Sequence, residues 1–162
     1  MMTAKEMADE VVQAVRERLP AQALQCSTHS EYELVTMPMS QSSDYDFELY
    51  CYGSGEGSLC AKPRMQDKSQ TDTIFWYVPF ESYRGEEGAR PVFDYMKECV
   101  FKVISHPTRI THRKGLLFGS FRLESQINGQ WTGVYKYSYL RMGVRTARVT
   151  GKQQVFSAEP SK

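Results

Sequence analysis

The chain contains no run of about 18 apolar residues, so no helical membrane span is written in it. Net charge is nearly absent, +1 over 162 residues. The four cysteines include no C-x-x-C pair and the three histidines are scattered, so a zinc site or a redox dithiol lacks its usual spacing. There is no G-x-S-x-G elbow, no H-E-x-x-H helix and no Walker A segment. Eleven Gly and seven Pro are ordinary numbers, which removes collagen-like and low-complexity classes. The first ten residues have neither the basic start nor the apolar stretch of a secretory signal. The expectation is a cytoplasmic protein with reduced thiols, and with no metal and no cofactor.

What is present is a globular composition. Apolar residues make up 41% and aromatics 12%, enough to bury a core without staples and too many for a disordered chain. The length suits a single domain over 1–162, with 157–162 expected as a flexible tail. The small net charge hides a division. Residues 1–105 hold ten Lys/Arg against seventeen Asp/Glu, whereas 106–152 hold nine basic residues against Glu124 alone. A basic half of this kind suits an anionic partner.

Hydrophobic periodicity places the elements. Met7, Ala8, Val11, Ala14 and Val15 recur at three and four residues, so Thr3 to about Arg18 reads as an amphipathic helix. Thr3 and Glu6 form a capping-box pattern at its start, and Pro20 stops it. Strands are expected over 32–37, 45–51, 58–62 and 73–80. In the hairpin around Gly53-Ser54-Gly55-Glu56-Gly57, matching apolar residues sets Cys51 opposite Leu59 and Leu49 opposite Ala61. Asp44, Asp46 and Glu48 alternate with apolar residues and read as a solvated acidic face. A second helix starts near Pro91, with Phe93, Met96, Cys99, Val100, Val103 and Ile104 as its apolar stripe, and ends at His106-Pro107. Asn128-Gly129 between alternating segments is the signature of a two-residue type I′ hairpin. A further extended stretch after Gly143 reads as an edge strand or a tail. The fold expected is α+β: a single domain with a meandering antiparallel sheet, and an N-terminal and a central helix packed on it.

Few residues suggest chemistry. The three glycines at 53, 55 and 57 precede a strand rather than a helix, and Glu56 among them repels phosphate, so they read as a flexible hairpin tip. Cys99 with His106 or His112 has the residue types of a thiol nucleophile, but Cys99 sits on an apolar stripe where a thiol is inert. Lys114–Phe121 shares a basic residue, Gly115, Phe118 and Phe121 with the RNA-recognition octamer. It departs from that octamer at Leu116, Leu117 and Gly119, and the βαββαβ order is missing. The reading is therefore not an enzyme.

The strongest candidate is a surface. Extending the Asn128-Gly129 hairpin with an unbroken register puts Phe118, Arg122, Trp131, Tyr135, Tyr137, Tyr139 and Arg141 on one face, away from Leu117, Leu123, Val134 and Leu140. Tyr, Trp and Arg dominate binding hot spots. The function expected is a small non-enzymatic protein that recognises a macromolecular partner through this aromatic and basic sheet face. An acidic protein is the partner expected first. In element order the chain resembles small client-binding proteins, namely toxin-neutralising immunity proteins and secretion chaperones. The alternative is an RNA or single-stranded nucleic-acid binder, since aromatics stack on bases. A small-molecule-binding or hydrolytic domain is the third reading.

Overall fold

The computed structural model describes residues 2–64, 76–81, 86–114, 118–140 and 153–160. Helix α1 spans Ala4–Arg18 and begins as the sequence dictates. The Thr3 hydroxyl accepts from the Glu6 N–H at 3.2 Å, and the Glu6 carboxylate accepts from the Thr3 N–H at 2.7 Å. Met7, Ala8, Val11, Val12 and Val15 form its buried stripe. Five antiparallel strands follow: β1 (Gln25–Thr28), β2 (Glu33–Met37), β3 (Tyr45–Gly53), β4 (Glu56–Pro63) and β5 (Trp76–Phe80). They pair in chain order. Helix α2 spans Glu86–Ser105. Four more strands, β6 (Thr108–Lys114), β7 (Phe118–Ile127), β8 (Gln130–Leu140) and β9 (Gln153–Ala158), form a second antiparallel sheet in the order β8-β7-β6-β9.

The α+β class is as expected, with both helices packed with antiparallel sheets, and the strands are distributed over two sheets. Alternate residues of the first sheet (Val35, Met37, Phe47, Leu49, Leu59, Ala61, Val78 and Phe80) turn one face into the core. Helix α1 lies over β2 and β3, and α2 over β4 and β5. Ile110, Leu123 and Ala158 bring the second sheet into the same apolar cluster. Each fully buried side chain of this size stabilises the fold by about 1.5–3 kcal/mol through removal from water. Among the described residues, no helix is long and apolar enough to cross a membrane.

Several expectations need correction. The β3–β4 hairpin is tighter than apolar matching suggested: Leu49 faces Leu59 and Cys51 faces Gly57. The slip is two residues, so the apolar face is preserved. Cys51 turns into the core, whereas Cys60 pairs with Glu48 on the opposite face, so the two thiols point apart. The hairpin tip is not a loose loop. A Cβ at Gly55 would stand 2.3 Å from the Ala89 carbonyl oxygen, and one at Gly57 2.8 Å from the Met96 sulfur. The Ser54 N–H donates to the Met2 carbonyl. The tip is thus held between the starts of both helices, and the glycines serve close approach rather than mobility.

Helix α2 begins five residues before Pro91, which therefore lies inside it. Asp94 bridges Arg90 and Lys97 on the helix surface. Both of these cations also bond Glu10 of α1, tying the helices together.

The acidic strand face is not merely solvated. Asp46 is gripped by Arg64, whose guanidinium also donates to the Met39 and Ser40 carbonyls. Glu48 is buried and accepts from Lys62 at 2.8 Å and from the Tyr50 hydroxyl at 2.9 Å. Asp44 accepts from the Ser157 N–H at 2.7 Å. The segment from 157, expected as a tail, is anchored as far as Glu159, which bonds Ser40 and Ser43.

Candidate functional site

The register of the β7–β8 hairpin turns on one residue, Val134. Asn128 and Gly129 adopt φ of +51° and +78°, the left-handed pair of a type I′ turn. From the turn the register is the expected one: Ile127 faces Gln130, Gln126 faces Trp131 and Glu124 faces Gly133. There it breaks. Leu123 faces Tyr135, so Val134 is an extra residue, a bulge. Because side chains alternate, one inserted residue turns the remainder of β8 over.

The expected face is divided as a result. Tyr135 sits opposite Leu123, which is fully buried, and packs partly buried against the core. It does not share a face with Trp131 and Arg122. Tyr137 and Tyr139 hold the next alternate register positions, opposite Phe121 and Gly119, and Phe118 pairs with Leu140. Arg141 lies outside the described residues. Lys136 and Ser138 are exposed and pair with Arg122 and Ser120.

What remains on the outer face is a built cluster. Glu124 is 5% exposed and accepts from Arg109 Nε at 2.9 Å. The guanidinium carbon of Arg109 lies 4.2 Å from the centroid of the Trp131 ring. The cation is therefore held between a carboxylate and an indole, and the partly exposed indole is fixed in turn. Arg122 Nε approaches the other Glu124 oxygen at 3.3 Å. A Cβ on Gly133 would stand in ordinary van der Waals contact with Arg122 Nη2, at 3.7 Å, so the guanidinium lies over this position of β8. More than half of the Arg122 side chain remains exposed. Arg113 and Lys136 are exposed on the same face, so its charge is predominantly positive.

Arg109 and Gly133 are the members that sequence reasoning missed, whereas Glu124 shares the β7 face of Arg122 that the alternation predicts. Arg109 joins through β6, which the hydrophobic pattern did not reveal as a strand because Thr108 and His112 occupy its inward positions. Gly133 inside a strand was the available signal for a bulge.

The thiol reading gains no geometric support. Burial pushes Cys51 up to about 12 and Cys60 to about 11. Burial also raises Cys99, against a hydrogen bond from Tyr95. His112 is buried and stacked on Phe121, with ring centroids 4.0 Å apart. Among the described residues, no three His, Cys, Asp or Glu side chains gather as a metal site would require.

The chain matches no family model, no curated protein and no solved structure.

Proposed function

We propose that this chain is a non-enzymatic binding protein that recognises an acidic protein through the outer face of its second sheet. The observation carrying this reading is the Trp131–Arg109–Glu124–Arg122 cluster. It is a partly exposed indole pinned by one arginine, beside a second arginine whose side chain is more than half exposed. Preorganised aromatic and arginine side chains lose little freedom on docking, and such anchors dominate binding energy. A carboxylate on the partner fits the planar fork of Arg122, and Arg113 and Lys136 extend the positive surface. An inhibitor of the immunity-protein kind, or a chaperone for one client, would use such a face.

The bulge weighs against the nucleic-acid alternative. A single strand binds where successive bases find open rings, each worth about 1–3 kcal/mol. Among the outer-face side chains described, Trp131 is the only aromatic, and Arg109 covers one of its faces. The test is affinity capture from nuclease-treated extract of the host, with the wild type and Arg122→Glu compared. An acidic protein recovered by the wild type and lost with the variant supports the reading. Equal recovery by both, or recovery that depends on nucleic acid, overturns it.

A further inference from the structure

The face of the first sheet that points away from the helices carries a second aromatic group. Leu34 pairs with Tyr50, and continuing that register one pair outward sets Tyr32 beside Tyr52. The Tyr32 ring stacks on the His29 imidazole at 4.5 Å between centroids, and meets Tyr50 at 5.2 Å and Tyr52 at 6.2 Å. Tyr52 is 48% exposed, so its ring is open to a partner. Beneath the group lies buried Glu48, which holds the Tyr50 hydroxyl and neutralises Lys62. Burial and this bond both push the Tyr50 phenol up, so it stays a donor and its ring stays in place.

Around the rings the charge is negative. Glu31 precedes Tyr32 and is exposed; Glu56 follows the turn after Tyr52 and is half-buried. Neither is in an ion pair among the described residues. Lys62, on the same face, is already bonded to Glu48. Aromatic faces attract cations through their quadrupole, and carboxylates at the rim add attraction of the same sign. From this we infer that the Tyr32–Tyr50–Tyr52–His29 surface docks a basic, arginine-bearing segment of a second protein partner. An acidic occupant would meet Glu31 and Glu56 unpaired, and nucleic acid would meet the same repulsion. The chain then carries two recognition surfaces of opposite charge preference, one on each sheet.

The probe is a blocked Gly-Arg-Gly-Arg-Gly peptide titrated into the full chain, with ring signals read by NMR and the glutamate analogue as control. The expected result is a saturable shift of the Tyr32, Tyr50, Tyr52 and His29 ring signals with the arginine peptide only. Tyr52→Ala, an exposed substitution compatible with folding, should weaken that binding by about threefold, the loss of one exposed cation–π contact. Glu31→Gln should weaken it and flatten its salt dependence. Unmoved ring signals, equal shifts with the glutamate peptide, or unchanged affinity in Tyr52→Ala would overturn the inference. Ring shifts that follow protein concentration without peptide would overturn it in favour of a second copy of the chain.

Discussion

Replacing Gly55 by alanine would place a methyl group 2.3 Å from the Ala89 carbonyl oxygen and 2.7 Å from the Ala89 carbonyl and α carbons. All three are backbone atoms of α2, so no side-chain rotation relieves the contact. The residue also has a φ of +83°, where any L side chain is strained. Gly129 is the matched control: its φ is +78°, but a Cβ there meets nothing within 4 Å. Both substitutions carry the left-handed penalty of about 1–2 kcal/mol. Only Gly55→Ala adds overpacking, for which about 1–3 kcal/mol is typical. Gly129→Ala should therefore cost about 1–2 kcal/mol and Gly55→Ala about 2–5 kcal/mol. In a domain of this size each kcal/mol lowers Tm by about 2–4 °C. Urea unfolding followed by tyrosine and tryptophan fluorescence gives both values from the midpoints, provided the slopes stay equal. Equal midpoints for the two variants would refute the claim that the tip is clamped between the helices. Faster hydrogen exchange at the tip of Gly55→Ala with an unchanged midpoint would refute it too, because the tip would then detach locally.

Other perturbations test other parts of the fold. Partial burial opposes ionisation of Glu10, but hydrogen bonds from Arg90 and Lys97 outweigh it and hold the carboxyl below its usual range. Its stabilisation is thus present above the ordinary carboxylate value of about 4.3 and is lost as pH falls through the lower folded value. Glu10→Gln should cost about 0.5–1 kcal/mol at neutral pH and nothing in strong acid, by urea midpoints at several pH values. Tyr135→Ala should cost about 2–3 kcal/mol of stability, since the ring packs on the core, whereas Arg122→Ala should cost under about 0.5 kcal/mol. The reverse ranking would mean that the bulge at Val134 is misplaced. Ellman's reagent at pH 8 should modify exposed Cys26 fast and leave Cys51, Cys60 and Cys99 slow, because burial keeps those thiols protonated.

The helices and turns were legible because their signals are local. Thr3 and Glu6 are three residues apart and cap one helix, the apolar stripe of α2 repeats at helical spacing, and Asn128-Gly129 tolerates the positive φ that its turn demands. Strand β1 was not legible: its four residues are all exposed, so no apolar alternation marks them. The start of α2 was hidden because Gly88 and Pro91, poor helix residues, lie in its first turns, where packing against the β3–β4 tip decides. The candidate face was half legible. Trp131 and Arg122 are placed together as expected, close to the turn, where the register had not yet slipped. Beyond Val134 the alternation reverses, because seating Tyr135 against Leu123 is a tertiary preference that no window of sequence contains. The glycines at 53, 55 and 57 illustrate the same limit. Their spacing suggested a loose tip, and only the helices packed on them show why they are small.

Site-specific photo-crosslinking in the host tests the central proposal most directly. A photoreactive residue at exposed Ser138, beside Arg122 and Lys136 on the outer face, should capture one acidic protein. The same residue at exposed Gln13, on α1, should not. The adduct should survive nuclease and disappear when Arg122→Glu is added. Equal capture from both positions, no adduct from position 138, or an adduct removed by nuclease would contradict the account.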